Sequence, residues 1–309
     1  MPVSPIPLSA LSQSQVIKIH ETMDLRHAFL LPSIIYLWFN YEDRASCYFD
    51  EDFVFGTLFP SDGENFACLS SKQKLNDEQL LKAEKLIPSE ISKTIRHSTF
   101  NYENDYLSQD GVLIIEKDDP SLYDYIYDVN ELSTCEGKKY EDTRRHVRRF
   151  FDLYQTGLKI HTIEGWEAIA SYKLEILNLF DDWTNYSTEG SSSYQEELVA
   201  LELFLAVNPG PLFGDIVGTL FLYNDRLIGF SINEILSNHF VINHFQKANL
   251  NLSSIGHYMF YSVAKILSDR EIKYLNFQDD HGIIGLRAFK HKMRPVEVFE
   301  TKKVTFLTQ

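Results

Sequence analysis

Residues 215–235 read DIVGTLFLYNDRLIGFSINEI. Two alternating apolar runs meet at Asn224-Asp225, a pair that accepts positive φ, so the stretch predicts a tight antiparallel hairpin. Working outward, HFVINHFQ (239–246) supplies a third strand, and Gly256 opens the apolar helix HYMFYSVAKILS (257–268). IKYLNF (272–277) predicts a strand, IGLRAFKHK (284–292) a short helix, and VEVFETKKVTFL (296–307) a closing strand. Upstream, helices are expected near Trp166–Trp183 and Tyr194–Val207, separated by the flexible STEGSSS (187–193) and ended by NPGP (208–211).

The first half repeats this order more faintly. SIIYLWFNY (33–41), ASCYF (45–49) and FVFGTLF (53–59) predict an antiparallel meander. Helices are expected around Asp77–Leu86 and Ser89–His97, then strands at GVLIIE (111–116) and YDYIYD (123–128). A long helical tract is expected from Val129 towards Tyr154, followed by the strand GLKIHTI (157–163). Helices, three antiparallel strands, helix, strand, helix, strand is the order of the GNAT-type acyltransferase fold. The expected class is α+β, with two tandem GNAT-like domains, each a mixed sheet flanked by helices, over residues 1–130 and 131–309.

Bulk properties narrow the functions. A chain of 309 residues suits two domains, and 44% apolar residues with 24% charged residues describe a folded globular protein. Three separated cysteines, Cys47, Cys68 and Cys135, offer neither a disulfide framework nor a zinc ribbon. The opening MPVSPIPLSALSQSQ lacks the basic and apolar segments of a signal peptide and reads as a loose tail. The most apolar window, residues 28–41, contains Pro32 and is too short to span a bilayer. A cytoplasmic location is expected, with any membrane contact peripheral.

A net charge of −15 argues against coating the whole surface with nucleic acid. One segment departs from that balance. Within GKKYEDTRRHVRRF (137–150), Lys138, Lys139, Arg144, Arg145, Arg148 and Arg149 face only Glu141 and Asp142. On a helix the four arginines fall within an arc of about 140°, opposite Thr143, Val147, Phe150, Phe151 and Tyr154, which are expected to face the core. Such a face either pairs with the surplus carboxylates or grips successive phosphates, since guanidinium binds phosphate through two bonds. Lys138, Lys139 and Tyr140 would extend it, with Tyr140 placed to stack on a base. Distant carboxylates, beyond a Debye length of about 8 Å, weaken such a site little.

Three blocks in order carry a resemblance: YDYIYDVNELSTCEGKKYEDTRRHVRRF (123–150), INHFQKANLNLSSIGHYMFYSVAKIL (242–267) and YLNFQDDHGIIGLRAFKHKMRP (274–295). Together they resemble the bacterial phosphatidylglycerol lysyltransferase C-terminal family. That family has a Glu-Leu helix, Gly-Lys-Lys/Arg-Tyr and a basic Arg-x-His helix. Its later blocks are His-x-x-Lys-Ala and Asn-x-x-x-Asp-x-Gly-x-x-Gly-Leu-Arg-x-x-Lys. The resemblance implies an acyltransferase that moves an aminoacyl group from aminoacyl-tRNA to a lipid headgroup or amine acceptor. Lys138, Lys139, Tyr140 and the four arginines would then meet the donor. His281, where the family has an aliphatic residue, and the intruding Glu141 and Asp142 are departures that bear on the substrate.

Such transfer needs a proton acceptor, an oxyanion site and a group that holds the donor's ammonium. Asp280, in the position of the family's Asp, is the candidate for the ammonium. Arg287 and Lys290, one helical turn apart, are candidates for the oxyanion or an acidic acceptor. His244 is the candidate base, alternatively a buried structural histidine, and Lys247 and Gly256 are placed with the donor. No resident cofactor or metal is expected, because neighbouring Asp and His in DDHG lack a further ligand at helical spacing. The alternatives are an acyl-CoA-dependent N-acyltransferase and a non-catalytic anion-binding protein. CoA enzymes of this fold carry Gln/Arg-x-x-Gly-x-Gly/Ala before the central helix. Here Gln246 stands ten residues ahead of Gly256.

Overall fold

The computed structural model describes residues 5–39, 44–59, 65–102, 113–186, 191–208 and 210–307. The chain starts with β1 (Ile6–Pro7), α1 (Gln13–Thr22) and α2 (Pro32–Phe39). The meander β2 (Ala45–Phe49), β3 (Val54–Leu58) and β4 (Phe66–Leu75) follows, then α3 (Asp77–Glu84), β5 (Thr94–Tyr102) and β6 (Leu113–Lys117). Next come β7 (Asp124–Asp128), α4 (Val129–Thr134), α5 (Glu141–Tyr154) and β8 (Leu158–Glu164). Three helices, α6 (Trp166–Ala170), α7 (Lys173–Tyr186) and α8 (Ser191–Ala206), lead into β9 (Asp215–Tyr223), β10 (Arg226–Ile235) and β11 (Phe240–Ala248). The last elements are α9 (Ile255–Ser268), β12 (Tyr274–Asn276), α10 (Ile284–Lys292), β13 (Glu297–Phe299) and β14 (Lys302–Phe306).

Two seven-stranded sheets result, ordered β1-β2-β3-β4-β5-β14-β6 and β8-β9-β10-β11-β12-β7-β13. In each, the first four strands are antiparallel, the fourth and fifth are parallel, and the fifth and sixth are antiparallel. This is the mixed GNAT-like sheet, present twice. The sixth place in each is filled from the other half of the chain, by β14 in the first and β7 in the second. One compact unit accordingly comprises the chain up to Asp124, Gly210–Phe213 and the stretch from Phe299 onward. The other comprises the chain from Tyr125 through α8 and Gly214–Val298. The single cut at 130/131 becomes an exchange of strands, and VEVFETKKVTFL supplies one strand to each sheet.

Local chemistry explains most elements. Asn224 and Asp225 both adopt left-handed φ, 50° and 61°, which suits the twist of the β9–β10 hairpin. Asn76 caps α3 and exchanges bonds with Gln79. Four expectations are corrected. Residues 33–39 are helical: Pro32 begins α2 without needing its missing N–H, and Ser33–Leu37 are all buried, so no one-sided period marks the helix. The helix expected over Ser89–His97 is a turn followed by β5. The tract from Val129 to Tyr154 breaks where Cys135 and Gly137 take positive φ. Leu8 and Leu11 are buried, so the chain from Ile6 is packed and not a loose tail. Residues 1–4 and 187–190 of the expected tail and linker lie outside the described residues.

The core of the second unit packs Tyr125 and Tyr127 of β7, Phe150 of α5 and the apolar face of α9 against the sheet. Among the described residues no helix is long and apolar enough to cross a membrane.

Candidate active site of the second unit

β11 and β12 pair only through Phe240–Ile242 and Tyr274–Asn276, and beyond that point they separate. Opposite Ile232/Asn233 the register of β11 skips His244, a bulge that bends the strand at the mouth of the crevice. Gln278, held at φ 53°, turns its carboxamide into the gap: Nε2 donates to the Asn243 carbonyl at 2.6 Å, while its own N–H donates to Asn276 Oδ1 at 2.7 Å. Behind it, Asn243 Nδ2 donates to Ser231 Oγ and Asn233 Oδ1, both at 2.9 Å. A ligand N–H entering the crevice would meet the carbonyls that Gln278 now serves.

The histidine and lysine expected beside this strand are committed elsewhere. His244 is fully buried, with Nε2 2.7 Å from Glu234 Oε2, and the Gly214 N–H donates to Glu234 Oε1 at 2.7 Å. It is a buried pair partner, and the role of open base is corrected. Lys247 Nζ lies 2.7 Å from Glu197 Oε1 and 4.1 Å from the centre of the Trp183 ring, with the side chain 11% exposed. That ammonium is neutralised within the fold, so phosphate contact by Lys247 is also corrected.

The turn after β12 is built around Asp280. Its carboxylate accepts from Tyr125 OH at 2.6 Å, from the Gly282 N–H at 2.9 Å, and from Arg287 Nε and Nη2 at 2.8 Å each. Gly282 and His281 turn the backbone at φ 73° and 48° to make this closure. Burial works to raise the Asp280 pKa, but the Arg287, Tyr125 and Gly282 bonds outweigh it and hold the group below the usual carboxylate range. Burial, then Asp280, pushes the Tyr125 hydroxyl up. With four protein donors and no exposure, Asp280 fixes the turn; the expected ammonium contact is corrected. Lys290 is also tied in, with Nζ 2.7 Å from the Phe277 carbonyl, 3.1 Å from that of Gln278 and bonded to that of Asp279. Arg287 keeps a 40% exposed side chain and one open edge. Gly256, second residue of α9, has room for a Cβ, which would meet only the Phe289 ring at 3.6 Å.

On α5 the arginines divide. Arg144 reaches back to the carbonyls of Cys135 and Gly137, closing the C-terminus of α4, and Arg145 pairs with Asp142. Lys139 pairs with Glu131 at 2.6 Å. Tyr140 is 1% exposed and bonds Glu131, so its ring is a core group and the base-stacking role is corrected. Among the described residues, the side chains of Lys138, Arg148 and Arg149 have no ion-pair or hydrogen-bond partner. An open groove of about 620 Å³ runs past Arg144, Arg145, Arg148 and Arg149. A second of about 640 Å³ runs between Arg148, Phe151, Ile160, Tyr261 and Lys265. The other end of α5 is fastened to α10, where Lys292 Nζ lies 2.7 Å from Asp142 Oδ2.

Sequence reading passed over Tyr125, Glu234, Glu197 and Gln278. Only Tyr125 carried a local signal, an aromatic inside the block that leads to the basic helix.

Solved structures share this fold. A protein of unknown function from Bacteroides thetaiotaomicron aligns over 99% of this chain and all of its own, at 19% identity and TM-score 0.76. A domain (DUF2156) from Agrobacterium fabrum, described as the C-terminal part of a lysylphosphatidylglycerol synthetase, aligns over 95% of this chain and 92% of its own, at 11% identity and TM-score 0.58. L-PGS from Bacillus licheniformis aligns over 99% and 93%, at 11% identity and TM-score 0.58. An uncharacterized protein of Mycoplasmoides gallisepticum is 30% identical over 118 residues, 38% of this chain and 35% of that protein's length. The profile of the phosphatidylglycerol lysyltransferase C-terminal family matches residues 119–301, most of the second unit and more than half of the chain. The chain therefore belongs to the phosphatidylglycerol lysyltransferase C-terminal family.

Proposed function

We propose that the protein moves an aminoacyl group from aminoacyl-tRNA to a lipid headgroup or an amine. The observation that carries this reading is the state of α5 in a protein of charge −15. Arg148 and Arg149 of α5, and Lys138 just before it, have unneutralised side chains among the described residues, while α5 is fastened to α10, which bears Arg287 and Lys290. Unpaired guanidinium groups along an open groove suit successive phosphates. Phe151, 46% exposed beside Arg148, offers the stacking face that Tyr140 does not. The acyl end would enter the crevice between β11 and β12, where an ammonium can displace the Gln278 carboxamide from the Asn243 carbonyl. An acceptor phosphodiester would meet the open edge of Arg287. CoA has less support, because the segment before α9 lacks its glycine pattern.

The test is tRNA binding across a salt series. Replacing Arg148 and Arg149 together by Glu is expected to weaken binding by at least ~10-fold and to lower the slope of log K against log salt by about 2, as loss of two phosphate contacts requires. CoA should bind too weakly to compete. If the double variant binds tRNA as the parent does, the donor assignment fails. Transfer itself is read by mass, from labelled aminoacyl-tRNA to phosphatidylglycerol vesicles or to soluble amines.

A further inference from the structure

The groove of about 640 Å³ beside α5 has three walls, and each element turns one side of its period into it. From α5 come Arg148 and, three residues on, Phe151, which is 46% exposed and does not face the core as expected. From α9 and its C-cap come Tyr261, Lys265 and Asp269, at i, i+4 and i+8 on one stripe. Ile160 and Thr162 come from one face of the edge strand β8. Each helix thus supplies an aromatic ring and a cation to the same groove. Among the described residues the side chains of Arg148, Lys265 and Asp269 have no ion-pair partner, although Lys265 and Asp269 stand one turn apart. Arg144 and Arg148 line both grooves of α5. Since Arg144 is held by the carbonyls of Cys135 and Gly137, Arg148 is the open cation where the two grooves meet.

We propose that this groove takes one unpaired nucleotide of an RNA strand, with its base against Phe151 and Tyr261 and its flanking phosphates against Arg148 and Lys265. A flat ring between two negative charges is what an aromatic and a cation from each helix complement, and stacking is tolerant of which base is present. Asp269 adds an acceptor for an exocyclic amine, which adenine, cytosine and guanine carry. An acyl chain would cover Phe151 and Ile160 but offers Asp269 no donor. The neighbouring groove, lined by Arg145, Arg148 and Arg149, then carries the strand's backbone, and at Arg148 a base leaves the stack. A duplex supplies such a base only by unpairing it, so the site favours RNA with an unpaired position. The site rests on the preceding reading only in that the natural strand is tRNA, and it adds the form of RNA that α5 and α9 recognise.

The experiment titrates the whole chain, across a salt series, with a fluorescent single-stranded RNA of mixed sequence, with the same strand annealed to its complement, and with AMP and CMP. The single strand is expected to bind at least ~10-fold more tightly than the duplex at about 0.15 M salt. Phe151→Ala/Tyr261→Ala should weaken single-strand binding ~5-fold to ~100-fold, the range of one lost stack. The slope of log K against log salt should stay as in the parent, because stacking releases no counterions. Lys265→Gln should lower that slope by about 0.7, one single-strand phosphate contact. Because Tyr261 also packs against the core, Phe151→Ser is the second variant, and it should lose at least ~3-fold. Equal affinity for strand and duplex, or unchanged binding in both aromatic variants, overturns the proposal. So does binding of AMP or CMP as tight as that of the strand, or Phe151-dependent binding of phosphatidylglycerol vesicles without Phe151-dependent binding of RNA. If Arg148→Glu/Arg149→Glu weakens tRNA binding and the aromatic variants do not, the tRNA reading stands and this site falls. If the single strand binds through the aromatic pair but no aminoacyl group leaves tRNA, the site stands and the donor assignment falls.

Discussion

Ending the chain after Glu300 is expected to unfold the first unit, although the cut lies almost two hundred residues beyond β6. The lost strand, β14, sits inside the first sheet with β5 on one side and β6 on the other. It pairs with β6 from Lys302↔Lys117 to Phe306↔Leu113, so its removal strips β6 of its inner neighbour. Val304 and Phe306 are 0% and 3% exposed and belong to the core with Phe53, Phe55 and Leu80. Burying each contributes roughly 1.5–3 kcal/mol, and each ladder bond about 1 kcal/mol net. The sum approaches the 5–15 kcal/mol by which a whole domain is typically stable. Truncation should therefore abolish one thermal transition and open the first unit to protease. The second sheet draws its sixth strand from β7 and should keep its own transition. A truncated chain that melts as the intact one does would show that β14 is dispensable.

That exchange marks the limit of what could be read from the residues alone. Alternation told that 124–128 and 302–306 are strands, because the period is local. Their partners are not local: Asp128 pairs with Tyr274, and Thr305 with Thr94. Nothing in either strand specifies that distance. The hairpin at Asn224-Asp225 was legible because its turn chemistry lies within the pattern, and α2 was not, because an element apolar on every side shows no period.

The site divides in the same way. The arginine face was visible as a periodicity. Which arginines remain open depends on what folds against them: Arg144 is used by the broken end of α4, and that break turns on Cys135 and Gly137. Asp280, Arg287 and Lys290 stand out as residues, but the saturation of Asp280 by Tyr125, Gly282 and Arg287, and of Lys290 by the carbonyls of 277–279, appears only once the strands are assembled.

Asp280→Ala should strongly destabilise the second unit. It removes the acceptor of four donors at once, leaving the Tyr125 hydroxyl with only His291 Nε2 at 3.4 Å, the Gly282 N–H to water, and Arg287 without its carboxylate. Breaking a buried pair by deleting one partner costs about 3–5 kcal/mol; because Arg287 is 40% exposed and can be rehydrated, about 3 kcal/mol is expected here. Tyr125→Phe, which removes one donor and keeps the ring, should cost only about 1 kcal/mol. The acid response fixes the cause. The folded carboxyl titrates below its unfolded value, so its stabilisation is complete above the ordinary carboxylate range and fades as pH falls through the folded pKa. Asp280→Asn should be less stable than the parent at neutral pH, and the gap should narrow on acidification. Denaturant titrations at neutral and acid pH measure this. A gap that stays constant would mean the loss comes from packing and not from charge. The turn would then owe its shape to Lys290 and the 277–279 carbonyls, and Gln278 would hold its place in the crevice without Asp280.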